Sequence, residues 1–486
     1  MIFNSIPFVA FFFVFFFLYW IVLNKNVKVQ NLWLLLGGYF FYGWADWRLV
    51  SFLIVVSALN FFLGIKIENA SNEKSKRFFL YIGLIQGIGG LLFFKYYNFF
   101  INAFNDAFSS VGITLGLHTL QLIIPLGISF FTFRTISYLL DIDKGKAIAC
   151  KDWIVFFNYI AFFPSILSGP IDKAKTFIPQ LETKRTFDYA NATDGLRQIL
   201  WGLFKKVVIA NNCSVITNEV FANYHNLPAS SLIIASFLYT IQIYADFSGY
   251  SDMAIGIARL LGFTSTKNFD YPFFAQNIAD FWRRWHISLT SWLTEYVFTP
   301  LSIYFRDYAN LGLILSIVIN FTLIGIWHGA NWTFIVFGFL HGIYYIPLIL
   351  KGTMNKKKRI NSITLKNYSE VFNMLKTFVL VMLTFIIFRA SSIEDAFGFY
   401  KHLGSATLFQ KPVLNGVSMQ YFISILLYIL FVFIMEWNSK TEEHVLEHFG
   451  NKYPKIVRWL FYIILILIIY YFSSMVSNQN FIYLQF

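Results

Sequence analysis

Charge is scarce in this sequence of 486 residues. Asp, Glu, Lys and Arg make up 13% of it, about half the ~25% of an ordinary soluble domain. Cysteine is nearly absent. Cys150 and Cys213, the two in the chain, fall in an expected cytoplasmic loop and in a helix. They have neither metal-ligand spacing nor a plausible disulfide to form, which excludes cysteine chemistry from the expected mechanism, and no metal site is expected. The N-terminus, MIFNSIPFVAFFFVFFFLYWIVL, lacks a basic segment before its apolar run and a small-residue cleavage site after it. It reads as a retained first transmembrane helix, not a removable signal. No repeat, low-complexity tract or separate soluble region interrupts the chain, so a single domain over residues 1–486 is expected.

Apolar and aromatic residues are abundant, at 57% and 21% of the chain, and 60 of them are phenylalanine. A water-soluble core of this size cannot hide so much apolar surface, and most of the exterior must face lipid. The net charge of +13 comes from Lys and Arg in short loops between apolar runs. That is the pattern of the positive-inside rule. With no aromatic-interleaved basic patch, a nucleic-acid partner is excluded.

A spanning helix needs about 20 mainly apolar residues. Spans are expected near 6–23, 31–46, 48–66, 78–100, 120–140, 196–217, 230–260, 311–328, 332–350, 372–389, 419–436 and 457–476, making an all-α polytopic membrane protein of 11–12 transmembrane helices. Basic loops at Lys25/Lys28, 66–77, Lys144/Lys146/Lys151 and the KKKR run 356–359 are assigned inside. The segments 101–119 and 218–230, without Lys or Arg, are assigned outside. Arg48, Arg389, Lys401 and Lys411 fall on the expected outer side against the rule. Residues 153–169 and 285–305 are apolar but flanked on both sides by basic residues, so they are expected to enter and leave on the cytoplasmic face. Pro164, Gly169, Pro170 and Pro300 suit such broken paths, which are tolerated at membrane depth when buried in protein or lining a watery cavity.

Polar residues that persist in apolar segments are informative. In FWRRWHIS (281–288), a helix over 282–298 would put Arg283, His286, Thr290 and Thr294 on one face, opposite Trp285, Leu289, Trp292, Leu293 and Tyr296. The simplest reading is an interfacial amphipathic helix. In IGIWHGANWTFIVFGFLHG (324–342), His328 lies between Gly325 and Gly329, and His341 beside Gly338 and Gly342. Small residues at that spacing let helices approach closely. Such a histidine serves either as a hydrogen bonder between helices or as a general base near neutral pH. Asp246 and Asp252 stand in the span 230–260 and must face protein or water, in a structural network or an ion-coupling pair. Asp252 and Arg259, seven apart, share a helical face. Lys205 and Lys206 are expected to snorkel to the cytoplasmic interface or, alternatively, to attract the phosphates of a coenzyme A donor.

Five segments carry a resemblance: FFPSILSGPI (162–171), YADFSGYSDMAIG (244–256), NFDYPFFAQNIADFWRRWHISL (268–289), GIWHGANWTF (325–334) and FIYLQF (481–486). In this order the sequence resembles the membrane-bound O-acyltransferase superfamily, in its bacterial alginate O-acetyltransferase-like branch. The resemblance implies tilted helices around a two-sided tunnel, and places the family's two motif histidines at His328, as presumed catalytic base, and His286. It implies acetyl-CoA as donor substrate with no bound cofactor. The acceptor would be an extracytoplasmic polysaccharide or an acetyl-transfer partner protein, and the location the cytoplasmic (inner) membrane. Asp246, Tyr250, Asp252, Trp282, Arg283, Arg284, Asn331 and Trp332, within the same motifs, are the expected substrate-binding residues, with Asn331 a candidate oxyanion donor. One stretch departs from the pattern: YVFTPLSIYFRDYANLG (296–312) lacks the Gly-Gly-x-Arg-like turn of alginate-type members, so alginate itself is not implied. Two other functions fit the residues taken alone, an ion-coupled glycan or lipid transporter and a non-catalytic scaffold of a polysaccharide synthase.

Overall fold

The computed structural model describes residues 1–354, 367–475 and 481–482. The KKKR run at 356–359 and the last four residues of FIYLQF lie outside them. All regular structure among the described residues is helical. Nine helices there are long and apolar enough to cross a membrane, with Ile6–Val22 a shorter apolar helix, as a polytopic membrane protein requires.

Residues 1–196 together with 254–266 form one compact unit, and 197–253 together with 267–486 form a second. In the first, side chains that accept backbone N–H groups start the helices. Ser5 caps Ile6–Phe17, Asn26 caps Val27–Gly43 and Asn72 caps Glu73–Leu91, satisfying donors that have no partner within the helix. Two expected boundaries are corrected here. The segment 101–119 is not a loop throughout, because helix Tyr97–Ser109 fills its first half. The span expected at 120–140 begins only at Ile128, because Pro125 lacks a backbone donor and Gly127 takes a left-handed conformation at φ 71°. The resulting helix, Ile128–Asp143, is almost wholly buried.

That helix holds the broken segment 153–169. Helix Trp153–Ala161 stops at Phe162, and the chain turns through Gly169 with residues 158–172 all buried. Buried Arg134 satisfies the carbonyls freed by the break: Nη1 donates to the Tyr159 carbonyl at 3.0 Å, and Nη2 to Ser165 Oγ at 2.5 Å and the Pro170 carbonyl at 3.2 Å. Asp172 Oδ1 then accepts from the backbone N–H and the hydroxyl of Thr266, both at 2.8 Å.

In the second unit, Ala309–His328 and Trp332–Ile343 form a tight helical hairpin. A Cβ on Gly325 would lie 2.1 Å from the Phe334 carbonyl oxygen, and one on Gly338 2.2 Å from that of Phe321. The small-residue spacing read from the sequence therefore sets the distance between the two helices, and the hairpin places His328 at its tip.

Candidate active site

The segment 282–298 is not one helix. Helix Ile278–Arg284 ends at Trp285, His286 adopts φ 46° and ψ 53°, and a new helix, Ile287–Leu293, follows. The shared face expected for Arg283, His286, Thr290 and Thr294 is therefore lost. Hydrogen bonding from the stretch 268–270 accounts for the break. The Asn268 carbonyl accepts from Ile287 N–H at 2.9 Å, and Asp270 N–H donates to the Arg284 carbonyl at 2.9 Å. A left-handed non-glycine residue costs about 1–3 kcal/mol and persists only where its surroundings fix it. His286 is fully buried, and Asn268 fixes it.

The bonds around Asn268 also assign the His286 tautomer. Asn268 Oδ1 accepts from Ser288 N–H (3.3 Å) and Ser288 Oγ (2.9 Å), while Nδ2 donates to Ser251 Oγ at 3.1 Å. A backbone N–H only donates, so the oxygen of the amide faces it. The His286 Nδ1 contact with that same oxygen at 3.1 Å must then carry the ring proton. Nε2 is left as the basic nitrogen of the neutral imidazole.

Trp327 brings the two motif histidines to one place. Its ring lies 5.6 Å from His286 and 5.1 Å from His328. His328, 4% exposed, also meets Phe388 edge-on at 5.1 Å, and Phe247 meets His286 at right angles at 4.6 Å. His341, on the second helix of the hairpin, is held by two hydrogen bonds. Trp282 Nε1 donates to His341 Nδ1 at 3.1 Å, so Nε2 of His341 carries the proton and donates to Thr384 Oγ1 at 3.2 Å.

The expected substrate-binding residues divide by what they touch. Asp246 is buried against Lys206, Oδ1 to Nζ at 2.6 Å, and its Oδ2 accepts from Ile482 N–H at 2.7 Å. Asp252 pairs with Lys205 at 2.7 Å and accepts from Gln198 at 3.1 Å. Arg259 pairs with Asp194, not with Asp252. Lys205 and Lys206 are 3% and 1% exposed, so neither snorkels: each is held by a carboxylate, as buried charges require. Both lie in the π-helical stretch Lys205–Ala210. Tyr250 packs edge-on against Phe481 at 4.6 Å. Arg284 is buried, with Nε on Asp280 at 3.0 Å, while Arg283 reaches the Met354 carbonyl at 2.6 Å. Asn331 caps Trp332–Ile343 through Thr333 N–H at 3.0 Å and donates to the Ser391 carbonyl at 2.9 Å. Trp332 is exposed.

Three contributors escaped the sequence reading. Asn268 and Arg134 lay inside expected segments, and Glu436 at the end of an apolar span accepts from Tyr244 Oη at 2.7 Å. For Arg134 and Glu436 the signal was an ionisable residue within an apolar run.

Comparison with known proteins bears on what this arrangement does. A probable alginate O-acetylase of Pseudomonas aeruginosa is 34% identical over 403 residues, covering 81% of this chain and 73% of that protein. A peptidoglycan O-acetyltransferase of Helicobacter pylori is 34% identical over 421 residues, covering 81% and 76%. A teichoic acid D-alanyltransferase of Bacillus subtilis is 30% identical over 281 residues, covering 55% and 69%. The profile of the membrane-bound O-acyltransferase family matches residues 151–393, which hold both motif histidines, their shared tryptophan and Asn268. These matches decide for an enzyme over a transporter or a scaffold. The chain belongs to the membrane-bound O-acyltransferase family and is a multi-pass membrane O-acyltransferase.

Proposed function

We propose that the chain is an O-acetyltransferase of the cytoplasmic membrane. It takes acetyl from acetyl-CoA on the cytoplasmic side and delivers it to a hydroxyl of an extracytoplasmic polysaccharide, directly or through a partner protein. The entire chain, residues 1–486, acts as one acyltransferase domain. The names of the relatives support this choice of group and acceptor class: alginate O-acetylase and peptidoglycan O-acetyltransferase. The observation that carries the proposal is the meeting of His286 and His328 on Trp327. His328 takes the proton of the acceptor hydroxyl as its oxygen attacks the thioester carbonyl. The C–O bond forms, the C–S bond breaks, and the proton passes from the imidazolium to the departing thiolate. His286, held by Asn268, shapes the donor side. Asp246, Asp252 and Arg284 keep the surrounding framework in place through their ion pairs, with Tyr250 and Trp282 packed into it. Arg283 attends the donor side, and Asn331 and Trp332 the acceptor side.

One observation favours a second reading. His286 has an assigned tautomer and an orienting partner, as a general base requires, so the two histidines exchange roles in that version. A deletion strain complemented with each variant separates them by the acetyl content of its surface glycans. His328→Ala is expected to cut acetylation by about 10²–10⁴ in rate at matched expression, with a milder loss for His286→Ala. Wild-type acetyl levels in His328→Ala would remove it from catalysis, and a deeper loss in His286→Ala would reverse the assignment.

A further inference from the structure

A groove of about 410 Å³ opens between helices Tyr368–Arg389 and Met419–Asn438. Both are apolar and long enough to span a membrane. Leu375 and Phe378 line it from one helix, Phe433 and Trp437 from the other, with Phe273 also in the wall. It occupies residues 371–378 near the start of one helix and 433–438 at the end of the other. At 1.5 Å per residue the first stretch covers about 12 Å, less than one leaflet of a hydrocarbon core about 30 Å thick. At the end of the second helix stands a polar group of matching chemistry: Lys440 Nζ lies 4.1 Å from the centroid of the Trp437 ring, beside exposed Asn438. Tryptophan and lysine at the end of a span mark the headgroup level.

We propose that this groove is a phospholipid site. One acyl chain lies along Leu375, Phe378 and Phe433, and the phosphate rests against Lys440. The slot is apolar along its length, shorter than one leaflet, and ends at an ammonium, which matches a chain joined to an anion. Phe273 lies 5.1 Å from Phe378, 4.9 Å from Tyr244 and 6.3 Å from Trp285, ring to ring. An occupied groove therefore backs the aromatic layer just before His286.

The test uses the full chain in nanodiscs doped with phosphatidylglycerol carrying a photoactivatable acyl chain, with crosslinked residues mapped after irradiation. Crosslinks are expected to concentrate at 371–378 and 433–438. Leu375→Trp, at a position 59% exposed, fills the slot and should remove most of them. Lys440→Gln should lower them about fivefold by removing one interfacial cation. The proposal is overturned if the lipid-facing helix Lys455–Met475 is labelled as strongly, or if neither substitution changes the labelling. It is equally overturned if excess long-chain acyl-CoA displaces the probe while unlabelled phosphatidylglycerol does not, which would make the groove a donor-chain site.

Discussion

At the residue scale, Asn268 organises the turn that carries His286. One amide oxygen meets His286 Nδ1 and both donors of Ser288. Removing it leaves buried donors unsatisfied, at about 1–3 kcal/mol, and releases the left-handed conformation at φ 46°. Asn268→Ala should therefore lower acyl transfer about as much as His286→Ala, and the double variant should be no worse than either alone, since both act through one imidazole. Initial rates of acetyl transfer from the purified proteins measure this. Losses that multiply in the double variant would separate Asn268 from His286. His286 and His328 were legible as a pair from their motifs, and the structure sets both against Trp327. The break beside His286 was not legible, because Arg283 to Thr294 fits helical periodicity and no local signal shows that the irregular stretch 268–270, about 15–20 residues earlier, makes hydrogen bonds at 284 and 287. The buried lysines show a similar limit. Lys205 and Lys206 read as interfacial until Asp246 and Asp252, some 40 residues on, are placed against them.

At the scale of elements, the His328 hairpin was written in the sequence by its glycines. Gly325 and Gly338 each face a carbonyl of the opposite helix at a distance no Cβ tolerates. Gly338→Ala must push the helices apart at a cost of about 1–3 kcal/mol, moving His328 with them. The variant is expected to lower both the thermal midpoint in detergent and the transfer rate. Gly89→Ala is the control, since a Cβ there meets nothing within 4 Å. Equal midpoints for the two variants would show that close approach is not what holds the hairpin. The apolar runs gave most helices to within a few residues. Errors gathered where glycine and proline act on the backbone, as at Pro125 and Gly127. The broken path at 153–169 was legible from Pro164, Gly169 and Pro170, whereas its support by buried Arg134 was not.

At the scale of the whole molecule, composition alone identified the solvent as lipid, and the ordered motifs identified the family. The acceptor was not legible: the stretch 296–312 departs from the alginate-type pattern, and no other motif in the sequence specifies a glycan. The central claim is that acetyl crosses from a cytoplasmic donor to an extracytoplasmic acceptor through His328. Reconstituted vesicles of uniform orientation, given labelled acetyl-CoA on one face and an acceptor glycan or partner protein on the other, test it directly. The account predicts labelled acceptor when donor and acceptor occupy opposite faces, with the donor cytoplasmic, and a loss of about 10²–10⁴ in rate in His328→Ala. Label reaching the acceptor only when both substrates share a face, or at an undiminished rate in His328→Ala, would contradict it.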